Sequence, residues 1–203
     1  LSVYSESDAV LDASTWELDG RWWFWRRPAG RTEYAVGAGA GWIHQAFDWE
    51  ARDGTQWYPA DPGVPADTWE GAGITYELDS DIPYLQLAGR AKGGRFSVEG
   101  RVAYAPSVTM NDRDDHLDRD ILAKTDAEGD AWLAEISSEY AFEGGWFARV
   151  GIQWMTCSVA GPSENLVYGP GENGRNTPGE RWTIYEEITS SQSFFSVAVG
   201  RRF

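Results

Sequence analysis

The sequence is poor in the residues that build disulfides, metal centres and helical membrane spans. Its 203 residues include one cysteine, Cys157, and two histidines, His44 and His116. A single cysteine excludes an internal disulfide and a cysteine metal cluster, so Cys157 is expected to be a small apolar side chain on a strand. No run of about 18 apolar residues is present, which excludes a membrane-spanning helix. We expect no metal and no cofactor.

Positive charge is also scarce. The chain has 17 lysine and arginine residues against 32 aspartate and glutamate residues, for a net charge of −15. Such a chain repels polyanions and attracts cations. We therefore expect no nucleic-acid partner and a preference for positively charged partners.

Aromatic residues, in contrast, are abundant. The 12 Trp, 9 Tyr and 8 Phe, beside 23 Gly, are too many large rings for one small acidic core to bury. Their spacing has period two: Tyr34, Val36, Ala38, Ala40 and Trp42 fall on one face, with Gly37, Gly39 and Gly41 among the residues on the other, and the same pattern recurs along the chain. Only a strand places alternate residues on opposite faces. The fold class is therefore predicted to be all-β.

Turn residues divide the chain into seven predicted strands. They cover about residues 8–27, 31–52, 67–91, 95–111, 120–141, 145–160 and 181–203. Several of these strands are far longer than the 5–6 residues usual in a soluble sheet. Tight connections alternate with long polar stretches at residues 53–68, 111–120 and 160–181.

Long antiparallel strands with short turns at one end and long loops at the other are typical of a transmembrane barrel. Tryptophans near the turns would form interfacial girdles on the outer face, and charged residues would mostly pair in the lumen. The predicted girdle residues are Trp22, Trp23, Trp25, Trp42, Trp132, Trp146 and Trp154, and the predicted lumen residues are Glu77, Asp79, Glu99, Arg101, Glu135, Glu139 and Arg149. The alternative is a soluble jelly roll or lipocalin-like barrel, which strands this long and rich in Trp disfavour.

The two termini add to the barrel interpretation. The chain ends in an alternating strand that finishes on Phe203, which resembles the terminal signature of Gram-negative outer-membrane proteins. Bacterial single-chain barrels have an even number of strands, and open edges are unfavourable in hydrocarbon. Seven strands starting at Leu1 therefore predict that an odd number of upstream strands is missing.

The most distinctive polar segment lies between the fourth and fifth predicted strands and contains Asp112, Asp114 and His116. If the strand extends into this segment, their spacing of two places all three side chains on one face. An aspartate beside a histidine fixes its tautomer and stabilises its protonated form, as in a general base that acts on water. The alternative is a solvated acidic loop or a cation site, and oxygen sites with a single histidine bind metals weakly.

This segment resembles the omptin family of outer-membrane proteases, ten-stranded barrels with an acidic run ending in Asp-x-His at the same loop. The resemblance extends over nearly the whole chain, through residues 16–20, 31–41, 82–89 leading to Phe96, and the closing strand. It covers about the last seven of ten strands. It implies an aspartic-type endopeptidase in which His116 activates a water, Asp114 orients His116, and Asp112 receives a basic substrate side chain.

Two departures from the family pattern stand out. The paired aspartates of the opposite wall would lie upstream of Leu1, and Asp8 and Asp12 are poor substitutes. At positions matching the family's lipid A-binding basic residues stand Ala46 and Asp79, with His44 and Glu77 nearby, and neither Ala nor Asp binds phosphate. Either the requirement for lipopolysaccharide is lost, or other residues such as Arg52 or Arg90 supply it.

The resemblance therefore predicts a monomeric endopeptidase in the outer membrane of a Gram-negative bacterium, with its active site facing outside. Its partners would be outer-membrane lipid and polypeptides with basic residues. The alternative is a non-proteolytic barrel, whether pore, adhesin or inactive omptin-like protein, with an acidic extracellular loop.

Overall fold

The computed structural model describes residues 4–60, 63–171, 174 and 176–202. Within these residues there are seven long strands, as predicted, together with one strand of two residues. They are β1 (Tyr4–Ala29), β2 (Thr32–Trp57), β3 (Asp67–Thr68), β4 (Ala72–Gly93), β5 (Phe96–His116), β6 (Ile121–Ala141), β7 (Trp146–Val167) and β8 (Arg181–Arg201). Among the described residues, no helix is long and apolar enough to cross a membrane.

All neighbouring strands pair antiparallel in the order β1-β2-β4-β5-β6-β7-β8, and the short β3 pairs with β2. The sheet is curled, as shown by a contact between strands far apart in this order: the Gln45 Nε2 of β2 donates a hydrogen bond of 3.0 Å to the Gln192 Oε1 of β8. The predicted all-β barrel architecture is therefore confirmed as an antiparallel, curled seven-stranded sheet.

Tight turns connect the strands at one end of the sheet. Gly30 and Gly94 occupy the β1–β2 and β4–β5 turns with φ of +63° and +58°, a region that favours glycine. At the other end, β2 and β4 are separated by residues 58–71, and β7 and β8 by residues 168–180. We call these the tight-turn end and the loop end.

The predicted long loop at residues 111–120 is wrong. Strand β5 continues to His116, a 3₁₀ turn covers Leu117–Arg119, and β6 begins at Ile121. Strands β2 and β7 likewise run further than predicted, to Trp57 and Val167. The prediction ended strands where apolar alternation ended, but a strand whose two faces both meet water needs no apolar residues.

The outer face carries an apolar belt. Phe195, Val197 and Val199 of β8 are 71%, 65% and 71% exposed, in the predicted alternation. Most predicted girdle residues are also exposed: Trp22, Trp25, Trp42, Trp132, Trp146 and Trp154. Trp23 is instead partly buried on the inner face. It lies opposite Gly37, which has no side chain and so leaves room for the indole ring. The terminal Phe203 lies outside the described residues.

The lumen at the level of this belt is filled by ion pairs. Arg101 is only 5% exposed and lies 2.8 Å from Glu17, 3.0 Å from Asp19 and 2.7 Å from Glu135. We call Arg101 and these three carboxylates the Arg101 cluster. Tyr84 also contacts Arg101, and a side chain at Gly41 would clash with the Tyr84 ring at 2.4 Å.

Two residues predicted to face the lumen do not. Glu77 and Asp79 pair with Asp48 and Ala46 on the outer wall, beyond the apolar belt, and both are exposed. Leu78, which lies between them, faces the lumen. Because successive side chains of a strand point to opposite faces, Glu77 and Asp79 must face outward. The sequence pattern alone could not tell which of the two faces of β4 is the inner one at this height.

Candidate functional site

The hairpin of β5 and β6 brings Asp112, Asp114 and His116 to one face at the loop end of the lumen. They occupy alternate positions of β5 and are all partly buried. In the register, Asp112 lies opposite Thr125 of β6, which is buried, and His116 opposite Ile121. The extension of β5 to His116 therefore fulfils the condition under which the three side chains share a face.

His116 and Asp114 are in direct contact. The Nε2 of His116 lies 3.2 Å from the Oδ2 of Asp114, and their side chains are 25% and 32% exposed. A carboxylate at this distance stabilises the imidazolium formed when histidine takes up a proton.

Asp112 and Asp114 each have one buried oxygen without a donor. The Tyr76 hydroxyl donates to the Asp112 Oδ2 at 3.0 Å. Within the described part of the chain, Oδ1 of Asp112 and Oδ1 of Asp114 have no hydrogen-bond partner. Buried acceptors are nearly always satisfied, so two orphaned carboxylate oxygens in one site point to donors supplied from outside the chain.

The structure adds two residues that the sequence did not indicate. Tyr76 lies on β4 opposite Asp114, and its pKa is raised by burial and by the negative charge of Asp112. Glu186 of β8 accepts a hydrogen bond of 3.4 Å from the Thr125 hydroxyl, and its charge also raises the pKa of Tyr76. Tyr76 therefore remains a donor, and Glu186 adds a third carboxylate to the site.

The opposite face of the hairpin is held by the β7–β8 connection. The Tyr168 hydroxyl donates to Asp115 Oδ1 at 2.9 Å, and the amides of Tyr168 and Gly171 donate to Asp120 at 2.8 Å. Burial and the bond to Asp115 raise the pKa of Tyr168 to about 12. Because Asp115 stands between Asp114 and His116, this contact fixes the strand segment that carries both.

His44 lies on the outer wall and not at this site. Its Nδ1 is 3.2 Å from Asp81 Oδ1, its Nε2 is 4.0 Å from Asp79, and its ring stacks on Trp42. Asp12, opposite Asp48, also lies on the outer wall. His44 therefore has a surface role.

Neither arginine suggested for binding lipid phosphate is a free cation of the outer wall. Arg90 is wrong for this role, because it lines the lumen at the tight-turn end and stacks over Trp23 at 4.6 Å. Arg52 lies 3.2 Å from Asp53 and 3.7 Å from Glu50, so its charge is matched. Among the residues the structure describes, no group of three His, Cys, Asp or Glu side chains is arranged to hold a metal ion.

Comparison with known proteins identifies the same architecture. A model of the family described as "Omptin family" matches residues 2–155. The crystal structure of the outer-membrane protease OmpT from Escherichia coli superposes with a TM-score of 0.72 at 18% sequence identity, covering 98% of this chain and 68% of that chain. None of the curated proteins matches the chain.

Proposed function

This chain belongs to the omptin family, and from that membership we propose that it is an outer-membrane endopeptidase cleaving polypeptides beside basic residues through a water activated by His116 and Asp114. The observation that carries this proposal is the contact of 3.2 Å between His116 and Asp114 beside orphaned carboxylate oxygens.

In the proposed mechanism, Nε2 of His116 faces Asp114, and the other ring nitrogen, Nδ1, takes a proton from a water, whose oxygen attacks the scissile carbonyl carbon. Asp114 holds the ring in position and stabilises the imidazolium. The tetrahedral intermediate collapses as the imidazolium returns its proton to the leaving nitrogen, which departs as an amine. The water is thereby split between the two products, and His116 is regenerated.

Asp112 is proposed to select the basic side chain beside the cleaved bond. Its Oδ1 has no donor within the described residues, while Tyr76 fixes Oδ2. A guanidinium or ammonium group would supply the missing donors and neutralise the carboxylate. Glu186 adds negative charge on the facing strand, which strengthens the attraction for a cation.

The two histidines provide a matched test of the proposal. The intact protein is refolded with and without lipopolysaccharide and given a dibasic fluorogenic peptide. We expect cleavage, a loss of about 10²- to 10⁴-fold in kcat for His116→Ala, and little change for His44→Ala on the outer wall. Absence of cleavage in both preparations, or full activity of His116→Ala, would contradict the proposal and favour the non-proteolytic barrel.

The pH profile tests the role of His116 as a base. Only the neutral imidazole accepts a proton, so kcat/KM is expected to fall as the pH is lowered from about 8 to 5. The measurement is the cleavage rate of the same peptide across that range, on protein shown by circular dichroism to stay folded. A flat profile would rule out this role.

We propose that the site faces the outside of a Gram-negative cell, as expected for long loops of an outer-membrane barrel. We further propose that activity does not require lipopolysaccharide, because Ala46 and Asp79 offer no cation for phosphate and Arg52 is paired. We therefore expect the refolded protein to cleave the peptide equally well in both lipid preparations. A strict requirement for lipopolysaccharide would show that another basic residue binds the lipid phosphates.

A further inference from the structure

We infer that the lumen holds a second, apolar recognition pocket next to Asp112, on the side toward the apolar belt, and that it binds a large apolar side chain of the polypeptide substrate within about two residues of the basic one. A cavity of about 290 Å³ lies there, lined chiefly by Trp49, Tyr76, Leu78, Met110, Cys157 and Ile188. This inference rests on the proposed function, because it assigns the occupant from the polypeptide that the site would cleave.

Tyr76 joins this cavity to the acidic site. Its ring lines the cavity, while its hydroxyl donates to Asp112 at 3.0 Å. Met110, on the cavity wall, precedes Asp112 by two residues on the same face of β5. Two residues of a strand span about 6.6 Å, which is also the spacing of same-side side chains in an extended substrate. A polypeptide that places its cation on Asp112 can therefore reach the cavity with a neighbouring side chain.

The cavity suits an apolar occupant better than water. Its polar lining residues Gln45 and Gln192 are bonded to each other at 3.0 Å, and Gln192 also donates to Ser190 at 3.3 Å. A buried water needs two to four polar partners, and engineered apolar cavities of about 150 Å³ stay dry and bind benzene. The remaining wall is apolar, so a leucine or phenylalanine side chain fits its chemistry and size.

The test compares peptides that differ only beside the basic residues. Fluorescein-labelled peptides with an Arg-Arg core carry Leu, Phe or Ala at the neighbouring positions. Binding to the His116→Ala protein is measured by anisotropy, and cleavage is measured with the unmodified protein. Both use phosphatidylcholine nanodiscs, so that no detergent competes for the cavity. We expect Leu or Phe at one position to improve Kd and kcat/KM at least tenfold over Ala, about the value of a few buried methylenes.

Two variants on adjacent positions of β8 locate the effect. Ile188→Trp fills the cavity, so the preference for Leu over Ala is expected to shrink to less than about twofold. Thr189→Trp adds the same bulk on the outer face and should keep the preference. Leu78→Phe, which narrows the cavity from β4, serves if Ile188→Trp does not fold.

The outcomes separate the two proposals. Cleavage without any preference for apolar neighbours overturns the pocket and leaves the proposed function standing. Tighter binding of the Leu peptide that Ile188→Trp removes, without cleavage by the unmodified protein, supports the pocket and contradicts the endopeptidase. A preference that survives both cavity-filling variants also overturns the pocket.

Discussion

The lumen contains two carboxylate clusters of opposite character. In the Arg101 cluster, Glu17, Asp19 and Glu135 surround an arginine that is 5% exposed, at 2.7–3.0 Å. At the loop end, a tyrosine hydroxyl donates to Asp112 and a histidine contacts Asp114, and among the described residues each carboxylate keeps a buried oxygen without a donor. The charge of the first cluster is balanced by arginines of the chain, since Arg21 also pairs with Asp19 and Arg149 with Glu135. The second is left for a cation that the described residues do not provide.

The difference follows position along the strands. The Arg101 cluster lies at the level of the apolar belt, where unpaired charge is most costly and must be matched within the chain. The loop-end site lies beyond the belt, where water reaches both faces of the sheet. An unmatched negative charge is tolerable there, and it is what a binding site for basic side chains needs.

The largest effect is expected from removing the cation of the Arg101 cluster. Arg101→Met leaves Glu17 without an arginine partner and leaves Asp19 and Glu135 with only Arg21 and Arg149, which should lower the free energy of unfolding by about 3–5 kcal/mol. The measurement is urea-induced unfolding in lipid vesicles, followed by tryptophan fluorescence. Arg95→Met is the control, because Arg95 is 54% exposed and pairs with Glu143 outside the cluster, so its loss should change the stability little. Equal losses of stability in the two variants would contradict the view that Arg101 is needed to compensate buried carboxylates.

An intermediate effect is expected at the loop end. Asp112→Asn keeps the shape of the side chain but removes its charge, so KM for a dibasic peptide should rise about 10- to 100-fold, as for a lost charge pair, with a smaller change in kcat. Stability should not fall, because the carboxylate has an unsatisfied oxygen in the free protein. A large loss of stability with unchanged KM would show that Asp112 belongs to the fold and not to a binding site.

The smallest effect is expected from the contact behind the hairpin. Tyr168→Phe removes the bond to Asp115, and kcat should fall about two- to fivefold, since Tyr168 is partly exposed and the bond is a modest one. The raised pKa of about 12 means that the folded state favours the protonated phenol. Its stabilising contribution is thus full below about pH 10, the usual tyrosine value, and is lost as the pH rises through about 12.

Hydrogen exchange of the hairpin amides between pH 9 and 11.5 checks this expected loss of stability at alkaline pH. After correction for the intrinsic pH dependence of exchange, the wild-type hairpin should lose protection as Tyr168 ionises. Tyr168→Phe should start with lower protection and lack this additional alkaline loss. Identical profiles for both proteins would show that the Tyr168–Asp115 contact does not hold the segment.

The fold was predictable because the alternation of apolar and polar residues indicates which face of each strand meets lipid, where charged side chains are unfavourable. Phe195, Val197 and Val199 show this, since their exposure follows their sequence pattern. Beyond the apolar belt the same rule loses force, because both faces meet water. For this reason the sequence pattern does not predict the extension of β5 to His116, and it places Glu77 on the wrong face of β4.

The site was predictable in part. The spacing of Asp112, Asp114 and His116 along one strand indicates a shared face, but partners from other strands depend on the register of the whole sheet. Tyr76 of β4 faces Asp114 of β5, and Glu186 of β8 reaches Thr125, more than sixty residues away. No local pattern in the sequence encodes such contacts.

The central claim is that the loop-end carboxylates bind a cation supplied by the substrate. A neutral isostere of arginine tests it most directly. Two fluorogenic peptides, identical except that citrulline replaces arginine, are compared by kcat/KM on the intact protein. The account predicts that the arginine peptide is cleaved at least about 100-fold more efficiently, because a buried carboxylate left without its charged partner loses about 3 kcal/mol. Equal values for the two peptides would contradict it.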